Sequence, residues 1–439
     1  MKKTLSLLLC TGMLLLAACG AQGGAGESAE ASKAAPAAQE ATTILLTEDG
    51  IDIHGGGARS EGGTVTIAAV GEYRISGTLA EGQIVVDTGV DAVNVTLILD
   101  GVSVTNPEGP ALWVKQAKNL YLQLAPGSEN LLISGREADL AGFDESRSGA
   151  AVYAEDDLIV EGAGNLHVLG YLNNGITCKD DLKVRGGSLE VLSANNGIRA
   201  AESIEISDGA ISVRSGNDGL KTSSDKKADK GYIDISGGTI SVSSGGDALA
   251  ALTELRISGG TISTGSRRDL VSAASRKGLK AGTLVDISGG TLDIAADEDG
   301  IHSGDELRIR GGDVRVTAST GLQAGLRDSG AGDILLSGGK LFVSAAKQGL
   351  KAEGEIYANN ELLVLFNSEK QAGFAEGGQS WFRAPVSGSA GDTVTVASAW
   401  DDVEVPQSFK ILLCSSADFA PGDQITVSVS GHSYPITIR

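Results

Sequence analysis

An all-β fold, most of it a parallel β-helix with coils of about 22 residues, is predicted by three features of the sequence. The first is a recurring polar residue followed by Gly or Ala and then Ile or Leu, at Asn174, Asn196, Asp218, Asp247, Lys277, Asp299, Thr320 and Gln348. Successive spacings are 22, 22, 29, 30, 22, 21 and 28 residues, the length of a coil with three short strands and three turns, extended in places by an inserted loop. The second is period-two alternation, as in Leu182/Val184, Ile204/Ile206 and Ile233/Ile235, and again in Leu189/Val191, Ile211/Val213 and Ile240/Val242. These pairs give each coil two faces of one core. The third is the set of glycine pairs between them, Gly186-Gly187, Gly237-Gly238, Gly259-Gly260, Gly289-Gly290, Gly311-Gly312 and Gly338-Gly339, placed where a corner needs positive φ or close coil-to-coil approach. With 62 glycines, 8 prolines and 4% aromatics, the composition excludes a collagen, a coiled coil and a helical bundle. A propeller needs a repeat of roughly 40 residues, and a leucine-rich repeat a longer leucine frame, so neither fits.

The elements follow in order. Met1-Lys2-Lys3 and the apolar run over 5–18 read as an export signal too short to span a membrane. Leu16-Ala17-Ala18-Cys19-Gly20 resembles the lipobox of bacterial lipoproteins, which predicts cleavage after residue 18, a lipid on Cys19 and attachment to the outer side of a membrane through that lipid alone. Residues 19–42, rich in Gly, Ala, Ser and Glu, read as a flexible tether. Less regular coils and a cap are expected over 43–148, the regular β-helix over 149–361, and a small antiparallel β unit over 362–439. After cleavage Cys178 and Cys414 are the two cysteines besides Cys19, which is no disulfide framework. The net charge of −21 disfavours nucleic acid as a partner.

In a β-helix a repeated position becomes a column in space. The residue before each glycine gives Asn174, Asn196, Asp218 and Asp247 on successive coils, preceded by Asn173, Asn195 and Asn217. Stacked carboxylates repel unless a positive charge lies between them, and calcium is the cation that hard oxygen ligands favour. The candidate ligands are Asp218, Asp247, Asn217 and Asn196, joined by Asp225 and Asp229 of the insertion over 222–231. The same Asn and Asp side chains also suit turn capping. A second outward column reads Thr177, Arg199, Lys221, Ala250, Lys280, His302, Gln323 and Lys351. Basic side chains here suit either charge pairing with the acidic column or a carbohydrate carrying carboxylates. Tyr171 and Tyr232 are candidate platforms for sugar rings. Cys178 falls in a uniformly small column and reads as an inward spacer, while His302 lacks a second ligand at zinc spacing.

Asn217-Asp218-Gly219-Leu220-Lys221, the 225–231 loop, Gly231-Tyr232-Ile233 and Ile235-Ser236-Gly237-Gly238-Thr239-Ile240 together resemble the bacterial surface carbohydrate-binding β-helix family related to pectate lyases. Asp299-Gly300-Ile301-His302-Ser303 is similar to another segment of that family, and the likeness runs from about Ile75 to Ser416. The resemblance implies a right-handed parallel β-helix that binds calcium and plant-cell-wall polysaccharide without established catalysis, the calcium role falling on Asp218, Asp247 and the loop acids. Two departures stand out: Ala248 follows Asp247, and Lys277 takes the place of an acid. The expected function is calcium-dependent binding of an acidic or plant-cell-wall polysaccharide at Lys221, Arg199, Tyr171, Tyr232 and Lys280. The alternatives are a calcium-dependent pectate-type lyase, with Lys221 or Lys280 as the base, and a passive envelope spacer or adhesin.

Overall fold

Side chains alternate in and out along each short strand, and the chain turns a corner every few residues, so each coil lays three strands on three faces of one prism. In the computed structural model the described residues are 41–438, apart from 48–49, 143–148, 225, 229, 268–274, 326–331, 371–372 and 376. Residues from Glu40 onward form one compact unit.

On the first face Leu112–Gln116, Ala150–Ala154, Asn174–Cys178, Ile198–Ala200, Leu220–Thr222, Leu249–Ala251, Leu279–Ala281 and Asp299–Ser303 pair in parallel, each with the next coil. The second face carries strands such as Tyr232–Ile235, Glu254–Ile257 and Leu284–Ile287. The third carries Thr239–Ser244, Thr261–Ser266 and Thr291–Ala295, again in parallel. This is the predicted parallel β-solenoid. Register fixes the core: Ile176, Ile198, Leu220, Leu249, Leu279, Ile301, Leu322 and Leu350 stand one above another, all at most 1% exposed. Each such side chain contributes roughly 1.5–3 kcal/mol of burial.

The glycine pairs divide the labour between them. The first glycine of a pair runs against the coil below, so a Cβ on Gly237 would collide with the Ser207 carbonyl oxygen. The second adopts positive φ, 84° at Gly238 and 91° at Gly290, which an L-residue adopts only with strain. A different device holds the corner between the third and first faces. There the buried hydroxyls of Ser193, Ser215 and Ser244 donate to the carbonyls of Asn195, Asn217 and Gly246 at 3.0–3.1 Å.

Both ends of the stack are covered, as unpaired strand edges require. At the N-terminal end Thr42–Thr47 pairs in parallel with Gly71–Leu79 and antiparallel with Gly50–His54. At the other end Glu361–Phe366 is the last parallel rung of the third face and pairs antiparallel with Ile411–Ser415, which in turn pairs with Trp381–Ala384. A separate four-stranded antiparallel sheet holds Thr393–Val396, Trp400–Glu404, Gln424–Val429 and His432–Thr437. The outward positions Phe342, Leu363 and Leu365 are apolar on these last rungs and form a second core with Phe382, Trp400, Leu412 and Cys414. The C-terminal unit is thus packed on the flank of the helix, and the strand containing Leu362 belongs to both.

Candidate functional site

The outward column of the first face is continuous and in register. Arg199 lies between Thr177 and Lys221, followed by Ala250, Lys280, His302, Gln323 and Lys351. Toward the N-terminal end it continues through Tyr153 to Trp113. These two aromatics are residues that sequence reasoning missed. Leu112-Trp113-Val114 and Val152-Tyr153-Ala154 carry the same inward-outward-inward triplet as Ile176-Thr177-Cys178, but no polar residue and glycine stand immediately ahead of them to mark it.

Beside this column lie Asn174, Asn196, Asp218 and Asp247, all buried. Asn174 Oδ1 accepts from both the backbone N–H and the Nδ2 of Asn196 at 3.0 Å. One rung further the pattern breaks, and Asn196 Oδ1 is buried without a hydrogen-bond partner among the described residues. Asp218 Oδ1 accepts the Asp247 N–H at 2.9 Å, and its Oδ2 accepts Lys221 Nζ at 2.7 Å. Asp247 is 2% exposed; its Oδ1 accepts Ser275 Oγ at 2.6 Å and the Lys277 N–H at 2.8 Å, and its Oδ2 accepts Lys280 Nζ at 2.8 Å. Burial pushes the Asp247 carboxyl up, but Lys280, Ser275 and the Lys277 amide together outweigh it and hold the group below its ordinary value.

The departure at Lys277 is compensated by a second one, at Ala250. The coil of Asp247 has Ala250 where a lysine would stand, and the next coil has Lys277 where an acid would stand. Lys280 therefore reaches back one coil to Asp247, while Lys277 reaches forward to Glu298 Oε2 at 2.8 Å and Asp299 Oδ2 at 3.6 Å. Asp299 also bonds His302 Nδ1 at 3.0 Å. The positive charge that stacked carboxylates require is thus supplied by Lys221, Lys277 and Lys280 of the protein itself.

A calcium ion takes six to eight oxygen ligands, and the described residues do not fit one as they stand. Asp218 and Asp247 already accept from ammonium groups and amides, Asn217 donates from Nδ2 to Asn195 Oδ1 at 3.2 Å, and Asn196 Oδ1 is a buried oxygen without a hydrogen-bond partner among the described residues. Among the described residues no three His, Cys, Asp or Glu side chains gather as a metal set. Asp225 and Asp229, and Cys19 at the expected lipidation site, lie outside the described residues. Two lysines of the 222–231 loop are engaged away from the column: Lys230 Nζ contacts both Asp181 oxygens at 2.7 Å, and Lys227 pairs with Glu202.

Of the other expected ligand-binding residues, Arg199, Lys221 and Lys280 share the column, whereas the tyrosines do not. Tyr232 begins a strand of the second face, where its hydroxyl donates to Glu205 Oε1 at 2.6 Å and Arg256 covers its ring. Burial, then Glu205, pushes its phenol up to about 12. Tyr171 follows the third-face strand Asn165–Gly170 and sits at the corner, half-buried. Lys221 and Lys280 donate to carboxylates instead of standing free as a base. Arg199 is different: half-buried, it has no side-chain partner among the described residues. Cys178 is inward and buried, its thiol pushed up to about 12 chiefly by that burial, as befits a core spacer.

A family model for carbohydrate-binding domain-containing proteins matches residues 61–325, which hold the first-face column from Trp113 to Gln323. The chain belongs to that family. A carbohydrate-binding domain-containing protein of Acetivibrio thermocellus is 36% identical over 127 residues, 29% of this chain and 44% of that protein. The match thus spans less than half of the relative's length. Among solved structures, the gadolinium derivative of a polysaccharide lyase-like protein from C. thermocellum is 29% identical, covering 58% of this chain and 96% of that one, with a TM-score of 0.49.

Proposed function

We propose that this carbohydrate-binding protein holds an acidic polysaccharide along the outward column of its first face, the protein being tethered to the outer side of a membrane by a lipid on Cys19. The observation that carries the reading is the alignment of Tyr153, Thr177, Arg199 and Lys221 on consecutive rungs, with the Arg199 guanidinium unpaired among the described residues. Rungs stand roughly 4.8 Å apart, close to the length of one sugar residue in an extended chain, so a polysaccharide running along the solenoid meets one rung per sugar. Net charge −21 repels a polyanion at long range, so attraction has to come from a local basic stripe, and a guanidinium offers a carboxylate a two-pronged donor. Because lysines already neutralise Asp218 and Asp247, the contact is direct and needs no bridging cation.

Calorimetry with polygalacturonate and with cello-oligosaccharides, each with calcium and with chelator, tests this reading. Polygalacturonate is expected to bind more tightly, to weaken as salt rises, and to keep its affinity in chelator. Equal, salt-insensitive binding of the neutral glycan, or no binding of either, would refute it, and loss in chelator alone would reinstate an ion bridge. For the tether, Cys19→Ser is expected to move the protein from the membrane fraction to the soluble one; unchanged fractionation would remove the lipid from the proposal.

A further inference from the structure

Trp113 and Tyr153 call for an explanation that packing does not supply. Trp400 is 3% exposed in the C-terminal core, and Trp381 lies edge-on to Phe374, centroids 5.0 Å apart, against the solenoid core. Trp113 and Tyr153 belong to neither core: both point outward from the first face, half-buried, on directly paired rungs. The strands beneath them are rigid, since Leu112, Val114, Val152 and Ala154 are at most 1% exposed. Trp113 Nε1 is shielded from solvent and has no hydrogen-bond partner among the described residues. An indole N–H in that position ordinarily has an acceptor.

Two exposed lysines flank the pair. Lys115 Nζ lies 4.2 Å from the Trp113 ring centroid and Lys179 Nζ 5.8 Å from that of Tyr153. Neither ammonium has a carboxylate partner among the described residues, although Glu155 is exposed on the rung between them. A cation resting on an exposed ring gains only about 0.5–1 kcal/mol, so each lysine is readily drawn to a better partner. The two rungs therefore combine flat, partly exposed rings with two cations that have no carboxylate partner among the described residues. That set matches the chemistry of a pyranose carrying a carboxylate: C–H faces for the rings and a negative charge for the lysines.

We propose that Trp113 and Tyr153 form a stacking subsite for uronate residues at one end of the bound polysaccharide, Lys115 and Lys179 moving from the rings onto the sugar carboxylates. The subsite rests on the reading of the first face as a polysaccharide groove and extends it. Three rung steps separate Trp113 from Arg199, about 14 Å at the usual strand spacing, so a disaccharide cannot engage both and a longer oligomer can.

Titration of the full-length protein with di- and hexagalacturonate, read by calorimetry and tryptophan fluorescence, decides the matter. In the wild type the hexamer is expected to bind more tightly and to shift the emission. Trp113→Ala and Tyr153→Ala should each weaken the hexamer about tenfold. Lys115→Ala with Lys179→Ala should weaken it without altering the melting temperature, which keeps the test independent of any folding defect in the aromatic variants. Unchanged hexamer affinity in folded Trp113→Ala and Tyr153→Ala, with affinity still lost in Arg199→Glu, would overturn the subsite and leave the groove standing. Unchanged affinity in all of them would overturn both.

Discussion

Asp247→Ala is expected to lower folding stability by roughly 2–4 kcal/mol, although it removes one side chain from a chain of 439 residues. Asp247 is 2% exposed; its carboxylate accepts three donors, Ser275 Oγ, the Lys277 amide and the Lys280 ammonium, and its own N–H donates to Asp218 Oδ1. The Lys280 side chain, 40% exposed, can turn to water when its partner is lost. The Lys277 amide between the coils cannot, and an unsatisfied buried donor carries the larger part of the cost. Asp247→Asn keeps an acceptor for that amide and should lose less. Acid provides an independent check. The folded Asp247 carboxyl lies below its ordinary value, so its contribution is present above the unfolded carboxylate pKa and is lost as pH falls through the folded one. Asp299, where burial is outweighed by His302 and Lys277, behaves in the same sense. Urea midpoints measured from neutral pH down through the carboxylate range should therefore fall less steeply for Asp247→Asn than for the wild type. Parallel curves would show that the pair contributes nothing.

Gly219→Val should prevent the protein from reaching its native fold. A Cβ at Gly219 would overlap Val242 Cγ1 and the Ala248 carbonyl oxygen of the next coil. Side-chain overpacking alone usually costs about 1–3 kcal/mol, and here one obstacle is backbone held in the stack by the Gly219 and Leu220 amides bonding to Asp247 and Ala248 at 2.9 Å. The same environment recurs at Gly175, Gly197, Gly278, Gly300 and Gly321, each facing a β-branched side chain and a carbonyl of the adjoining coil. Gly265→Ala serves as the control, because nothing lies within 4 Å of a Cβ there. The first variant is expected to be insoluble or to lack a cooperative melt, and the second to melt as the wild type does. A soluble, cooperatively melting Gly219→Val protein would mean that the coils can spread, contrary to the register described.

Those glycines explain why so much of the fold could be read from the chain. Each coil has to repeat the same close approach, the same corner and the same inward pair, so spacing and alternation carry the architecture. Legibility declines where a neighbouring coil changes the meaning of a residue. Lys277 in an acidic position is a mismatch within its own coil, yet it resolves once Lys280 is seen to serve Asp247 and Lys277 to serve Glu298 and Asp299. Tyr232 follows the insertion closely in sequence, but the corner at Gly231 places it on a different face from the column. Trp113 and Tyr153 escaped notice because the earlier coils lack the polar-glycine marker, although their triplets follow the same alternation. Phe342 and Leu363 break the polar exterior of the third face for a partner that lies outside the repeat, the C-terminal unit.

The claim that the first face is the polysaccharide-binding face is tested most directly by reversing one charge on two faces of a single coil. Arg199 projects from the first face and Arg214, exposed, from the third, fifteen residues further along the same turn. Polygalacturonate titrated into Arg199→Glu should show affinity reduced at least tenfold, while Arg214→Glu should bind as the wild type does. Equal losses would reduce the interaction to general charge, and a loss confined to Arg214→Glu would place the ligand on the wrong side of the solenoid for every contact proposed above.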